Sequence, residues 1–401
     1  MPHALIIYSG GLDTTVCIPM MRERGFDSIS TVTIDVGQPQ DDIDLAAERA
    51  KTLGTNHYVV DAKEEFAREF CGPAIGFNAD YFGYPLSTSI ARPLIAQKAA
   101  EMAKKLGGID AFVHGCTGKG NDQFRIEFGL RRFMPEVQII APIREGNLTR
   151  SWEIEYAEKV GAPIGISKEK IWSIDENLWG RSIEGGRLEE VNYSPPEEIF
   201  QWTKSLNSSR DKPSEVEIHF VKGIPVKVID NGATIAGNPL KIILACNEIA
   251  GDCGVGRIDI MEDRMIGLKV RENYECPGAV LLIAAHKALE ALVTTHAERA
   301  FKAQVDAAWA DLAYKGLWWE PLMEGLTAFS NSVQRRVTGS VRLKLYKSSL
   351  QVMGRNSEHA LYSETAASFD DSEVLQQSSM AGMVAVHGLE SLLYSRLESY
   401  K

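Results

Sequence analysis

A short apolar run, Ala4-Leu5-Ile6-Ile7-Tyr8, ends in Ser9-Gly10-Gly11-Leu12-Asp13-Thr14-Thr15 and leads into Val16-Cys17-Ile18-Pro19-Met20-Met21. The run reads as a buried first strand, and the segment after Thr15 as the first turns of a helix. A strand, a small-residue turn and a helix N-terminus together make an anion site, because the first backbone N–H groups of a helix have no partner within it. Gly10 and Gly11 let the chain bend tightly and approach a phosphate without a Cβ in the way. Ser9, Thr14 and Thr15 add hydroxyl donors. The bland alternative is a strand–turn–helix that holds nothing.

The same rhythm continues downstream. Residues 30–36, 56–61, 111–114 and 137–141 are short, apolar or β-branched, and read as four more strands. Residues 41–53 and 90–106 carry helical spacing between them, the second closing at Gly107-Gly108. Helices alternating with apolar strands predict an α/β fold: a parallel sheet with helices on both faces. Ligands of such sheets gather beyond the C-terminal ends of the strands. Three unusual segments share that edge: the turn at 9–15, the segment after Val36, and His114-Gly115-Cys116-Thr117-Gly118-Lys119-Gly120-Asn121-Asp122.

The texture changes near Asn192-Tyr193-Ser194-Pro195-Pro196. Residues 216–221 and 224–229 read as antiparallel strands, with Asp230-Asn231-Gly232 as a hairpin turn. A second hairpin is expected over 340–346 and 350–354, and one long helix over 279–301. Residues 379–398 form an amphipathic terminal helix with Val386, Leu389, Leu393 and Leu397 on one face. The expected domains are 1–165, a parallel α/β unit that carries the phosphate-type turn, 166–375, a separate α+β unit, and 376–401, a terminal helix that docks on its own chain or on a partner subunit.

Composition narrows the function. The 401 residues include 43 basic and 54 acidic ones, a net charge of −11, which argues against a nucleic-acid partner. The six cysteines form no CxxC pair and read as reduced, cytosolic thiols. The N-terminus carries no signal-peptide pattern and no apolar run is long enough for a membrane span, so the expected location is the cytoplasm and no membrane partner is expected. The eight histidines show no metal-ligand spacing, so no protein metal site is expected.

Within 114–122, two glycines free the backbone, Lys119 can neutralise phosphoryl charge, and Asn121 and Asp122 can take polar ligand ends. A solvated turn is the alternative. Arg92, early in the helix opened by Ser87-Thr88-Ser89, sits at the wrong end for the helix dipole, which calls for a bound anion or a buried carboxylate partner. His114 reads as a core histidine, and Trp318-Trp319 as core or interface.

These motifs, in this order, resemble the argininosuccinate synthase family along nearly the whole chain. The likeness begins at 8–14, becomes specific at Thr88-Ser89-Ile90-Ala91-Arg92-Pro93 and tightens at 114–123. It continues through Gly254-Val255-Gly256-Arg257, Glu262-Asp263-Arg264, Tyr274-Glu275-Cys276-Pro277-Gly278 and Arg342-Leu343-Lys344-Leu345-Tyr346. The resemblance implies an ATP-pyrophosphatase-type fold, a homotetramer, and ATP-dependent joining of L-citrulline and L-aspartate through citrullyl-AMP. ATP is then a substrate, accompanied by Mg²⁺.

Carried over by position, the resemblance implies ATP contacts at Ile7, Tyr8, Ser9, Gly10, Gly11, Leu12, Asp13, Thr14, Thr15, Ile34 and Gly115. It implies aspartate contacts at Thr117, Asn121 and Asp122, and citrulline contacts at Tyr84, Ser89, Asn121, Arg125, Ser173, Ser182, Glu262 and Tyr274. Asp13, Lys119 and Asp122 carry the catalytic expectation. Thr15, Cys116, Cys276 and the stretch 177–182 depart from the family's commonest forms. The rival readings are another ATP pyrophosphatase, of the amidotransferase or tRNA-thiolating kind, and a catalytically silent nucleotide-binding protein. No glutaminase segment, basic surface or cysteine pair favours the first, and the intact polar motifs argue against the second.

Overall fold

Five parallel strands, β1 (His3–Ile7), β2 (Ser28–Asp35), β3 (Asn56–Asp61), β4 (Ala111–Val113) and β5 (Gln138–Ile140), form a sheet in the order β3-β2-β1-β4-β5. This computed structural model describes residues 1–164, 172–368 and 376–398. The strand alternation separates two cores. Leu5, Val32 and Ile34 pack with Ile90, Ala91 and Leu94. Ala4 and Ile6 point the other way, onto Val16, Ile18, Tyr156 and Ala157. Helices therefore cover both faces: α1 (Leu12–Glu23) and, further along, Arg150–Val160 on one, Ser87–Leu106 on the other. In chain order the helices used below are α1, α2 (Gln40–Thr52), α3 (Ser87–Leu106), α4 (Asp122–Phe133) and α5 (Arg150–Val160).

Because β4 follows β1 on the side opposite β2, the chain direction of the connections reverses between β1 and β4. A crevice for ligands opens at such a switch point, beyond the carboxyl ends of the two strands. The turn after β1 and the loop after β4 flank it.

The remainder is antiparallel. One sheet of five strands runs β10-β9-β8-β13-β14, with β8 (Ser214–Val221), β9 (Ile224–Asp230), β10 (Ala233–Ala236), β13 (Gly339–Tyr346) and β14 (Ser349–Asn356). The β9–β10 turn has Asn231 and Gly232 both at positive φ, +47° and +90°, the twist a two-residue hairpin favours. A second sheet, which the sequence pattern did not reveal, runs β11-β12-β7-β6, with β6 (Ser173–Asn177), β7 (Gly180–Glu184), β11 (Arg257–Asp263) and β12 (Lys269–Glu275).

Two helix expectations are corrected. Residues 279–301 are not one helix: Pro277–Val293 ends at Thr294, and His296–Tyr314 begins behind a capping box in which Thr295 and Glu298 satisfy each other's backbone N–H groups. That Thr-x-x-Glu signal was present in the sequence. Likewise 379–398 is interrupted. Met380–Val386 and Leu389–Glu398 are separate helices, with Gly388 at φ +77° between them.

Two compact units result, Met1–His359 and Ala360–Lys401. The first contains all three sheets. The expected domain boundaries after 165 and after 375 lie outside the described residues. Trp318 belongs to the core as expected, stacked on Phe70 at 4.5 Å. Among the described residues, no helix is long and apolar enough to cross a membrane.

Candidate active site

The turn after β1 is tied back to its own sheet. Tyr8 N–H donates to Val32 O at 2.9 Å, and Thr33 Oγ1 donates to Tyr8 O at 2.6 Å. Gly10 takes φ +75°, and a Cβ on it would sit 2.8 Å from Ala46 of α2, so the turn lies flat against that helix. Arg49, one turn along α2, donates to Gly10 O at 2.5 Å. The hydroxyls are grouped: Ser9 Oγ and Thr14 Oγ1 are 3.2 Å apart, and Tyr8 Oη and Thr15 Oγ1 are 3.1 Å apart. Ile34 is buried near the end of the neighbouring β2. Leu12 and Asp13 open α1.

Asp13 has a partner that the sequence did not suggest. Glu153, in the first turn of α5, is 2 % exposed and its carboxyl faces that of Asp13. Two buried carboxyls that face each other disfavour ionisation of both. Burial first, and then the Asp13 charge, push Glu153 up to about 8.

The loop after β4 closes on the turn after β1. An added Cβ at Gly115 would lie 2.9 Å from the Asp13 carbonyl carbon and from Thr14 N. Beyond Gly115, the Thr117 side chain is partly exposed and Lys119 is exposed; the Lys119 carbonyl accepts from Arg264 at 3.2 Å. Asn121 and Asp122 then start α4.

The small antiparallel sheet supplies the opposite wall. Its register pairs Ser173 with Glu184, Asp175 with Ser182, and Ser182 with Tyr274. The period of two therefore puts Ser173, Asp175, Ser182, Glu184, Glu262, Glu272 and Tyr274 on one face. Tyr274 Oη donates to Glu262 Oε2 at 2.8 Å and also meets Glu272. Its ring stacks on Tyr84 at 4.2 Å, and the Tyr84 hydroxyl meets Thr88 Oγ1 at 2.8 Å and Ser89 Oγ at 3.5 Å. The hydroxyls that open α3 thus serve Tyr84 rather than capping the helix, which has no side-chain cap. Burial, and next the Glu262 charge, raise Tyr84 to about 12, so it remains a neutral donor.

Asn121 donates to Tyr314 Oη at 2.7 Å and to Glu262 Oε1 at 3.3 Å, and accepts from Met265 N–H at 3.0 Å. Tyr314 also donates to Glu262 Oε1 at 2.5 Å. Arg125 is anchored by Tyr314 O at 2.8 Å and Asp122 Oδ1 at 2.9 Å, with the guanidinium 4.9 Å from the Tyr314 ring centre. Arg92 holds the other Asp122 oxygen at 2.8 Å and also pairs with Asp175. This explains its position early in α3: its partners are carboxylates of two other elements. Burial works to raise Asp122, but Arg92 and Arg125 outweigh it and hold the carboxyl down at about 2.

Of the residues singled out from sequence, Tyr84, Ser89, Asn121, Arg125, Ser182, Glu262 and Tyr274 are thus brought into one buried polar cluster, with Asp122 half-buried at its margin. Ser173 lies on the same sheet face but at the exposed edge strand. Ile7, Tyr8, Ser9, Gly10, Gly11, Leu12, Asp13, Thr14, Thr15, Ile34 and Gly115 gather instead at the switch point. Each charged group of the cluster has a protein partner. Sequence reasoning missed Tyr314, Asp175, Glu153, Glu127 and Arg144. No motif surrounds them, and only the tertiary contacts reveal them.

Two family models match the chain. Residues 3–163 match the Arginosuccinate synthase N-terminal HUP domain, and residues 172–394 match the Arginosuccinate synthase C-terminal domain. The chain is 53% identical over 400 residues to argininosuccinate synthase of Methanocaldococcus jannaschii, covering 99% of both proteins. It is 52% identical over 395 residues to that of Methanococcus maripaludis, covering 98% of both. Against the Methanosarcina acetivorans protein the identity is 49% over 393 residues, again covering 98% of both.

Proposed function

The chain belongs to the argininosuccinate synthase family, and from that premise we propose that the β1/β4 switch point and the polar sheet face work as one site for ATP, L-citrulline and L-aspartate. The protein is an ATP-dependent ligase that joins citrulline to aspartate in arginine biosynthesis. The observation that carries the site reading is the contact of Gly115 with Asp13 and Thr14. It sets the nucleotide turn directly beside the loop that leads into Asn121, Asp122 and Arg125.

In the first step the ureido oxygen of citrulline attacks the α-phosphorus of ATP. The bond from that phosphorus to the bridging oxygen breaks, and pyrophosphate leaves. In the second, the aspartate amine attacks the activated carbon of citrullyl-AMP and expels AMP. Substrate atoms make both attacks, so the protein contributes alignment and charge stabilisation. Ser9 to Thr15 and Lys119 meet the phosphates. Glu262 takes the citrulline ammonium, and Arg125 its carboxylate. Tyr84, Ser89, Ser173, Ser182 and Tyr274 complete that subsite. Thr117, Asn121 and Asp122 take aspartate, and Asn121 touches citrulline as well. Mg²⁺ is assigned to the nucleotide phosphates as part of the substrate, because a hard cation with few protein ligands sits on phosphate oxygens.

The enzyme is further read as a cytoplasmic homotetramer, with a division into domains near 165 and 375. Six free cysteines support the location. The test is direct. Purified protein with ATP, citrulline and aspartate should release AMP and pyrophosphate in equal amounts and need added Mg²⁺. Release of ADP, or turnover indifferent to citrulline, would overturn the reading.

A further inference from the structure

The loop from Gly115 to Asn121 contains glycine at 115, 118 and 120. Such a segment loses much conformational entropy when ordered and does not hold its own shape. Something outside it must do so. The polar contacts that reach the loop from β4, α4 and the segment after β5 converge on one carboxylate.

Glu127 lies on α4 two residues beyond Arg125. Its Oε1 is 3.3 Å from His114 Nε2 and 2.5 Å from Arg144 Nη1, and its Oε2 is 3.2 Å from Arg131 Nη2. Each of the first two partners passes the restraint on. His114, 2 % exposed, accepts the Cys116 backbone N–H on Nδ1 at 3.2 Å. That bond places the ring proton on Nε2, where it faces Glu127. Arg144 donates to Gln123 Oε1 at 3.1 Å, and Gln123 Nε2 donates to Gly120 O at 2.9 Å. The stem of Arg144 also runs beside Gly118, 3.6 Å from where a Cβ would be. The restraints on Cys116 near the loop's start and on Gly120 near its end therefore trace to Glu127, while Lys119 O and Asn121 are held from the other side by Arg264, Tyr314 and the Met265 N–H.

We propose that Glu127 is a positioning residue which, through His114 and Arg144, holds the 115–121 loop in the shape that binds aspartate and ATP. Glu127 touches none of the groups assigned to substrates. Its protonation state suits that role, because the His114 hydrogen bond first, and Arg144 and Arg131 against burial, hold it down at about 2, so it is a carboxylate throughout the working range. Most citrulline groups hang on a different frame: Arg125 is anchored by Tyr314 O and Asp122, and Asn121, which serves both amino acids at the loop's end, is held by Tyr314, Glu262 and the Met265 N–H rather than through Glu127. The loop can therefore loosen while the citrulline wall stands.

This inference rests on the substrate assignment proposed above, and the test separates the two. Full-length enzyme and its Glu127→Gln and Glu127→Asp variants are assayed by varying one substrate at a time, with a melting curve for each. Losing a charge-assisted hydrogen bond at Glu127→Gln should raise KM for aspartate and for ATP about tenfold or more, and leave KM for citrulline within about twofold. Glu127→Asp, which keeps the charge, should recover part of that loss. Equal shifts in all three KM values, or no shift in any, overturn the positioning role. If Glu127→Gln does not fold, Arg144→Gln removes one arm at a partly exposed position and must show the same selectivity; a uniform effect there overturns it equally. A wild-type enzyme without citrulline-dependent turnover would instead overturn the substrate assignment.

Discussion

Gly115 and Thr14 come so close that a methyl group on the glycine would stand 2.9 Å from the Thr14 amide nitrogen. Both are backbone contacts, one strand apart in the sheet, and neither can swing aside as a side chain would. Gly115→Ala should therefore push the nucleotide turn away from the β4 loop. Overpacking of this kind costs about 1–3 kcal/mol. KM for ATP should rise about tenfold and the melting midpoint should fall. An unchanged ATP dependence would show that the two loops move independently.

Asp122 and Arg125, three residues apart on α4, form an ion pair at 2.9 Å. Their roles are therefore linked rather than cleanly divided between two amino acids. Arg125→Ala should weaken citrulline by roughly 1.5–3 kcal/mol, about ten- to a hundredfold in KM, and spare ATP. Asp122→Asn should depress the use of aspartate, while citrulline-dependent exchange of pyrophosphate into ATP survives in part. It should also raise KM for citrulline, because Arg125 loses an anchor. The double variant should be less impaired than the sum of the two. Strict additivity would mean that the pair does not act as a unit.

The Asp13–Glu153 pair predicts a pH dependence of stability. Glu153 is raised from its usual value near 4.5 to about 8 in the folded protein, so the native state binds its proton more tightly than the unfolded chain does. The stabilisation is fully present below the unfolded value and is lost as pH rises toward 8. The melting midpoint of the wild type should decline across that window. Glu153→Gln, which cannot ionise, should flatten the decline. A profile of the same slope in both proteins would place the titration elsewhere.

The terminal helices Met380–Val386 and Leu389–Glu398 expose Met383, Val384, Val386, Leu393 and Leu397. Deleting residues 379–401 should lower the assembly state measured by light scattering. A deletion protein of unchanged mass per particle would leave the arm without a role in assembly.

The Ser-Gly-Gly turn was legible from the chain because its chemistry is local: a strand end, two glycines and a helix N-terminus within fifteen residues. The same holds for the Asn231-Gly232 hairpin, whose turn type follows from two adjacent backbone conformations. The Thr295 capping box was equally local, and a reading that followed apolar spacing alone passed over it. The wall facing the phosphate turn was of another kind. Ser182 pairs with Tyr274 across some ninety positions of chain, and Asn121 reaches Tyr314 across nearly two hundred. No periodicity or spacing encodes such pairs, since they depend on how whole sheets and helices pack. Family resemblance named most of the residues on that wall. What holds them, with Tyr314 under Glu262 and Asn121, Arg92 between two carboxylates, Glu153 behind Asp13 and Glu127 beneath the glycine loop, was decided by the tertiary structure alone, because a buried charge takes whichever partner the fold brings within hydrogen-bond reach.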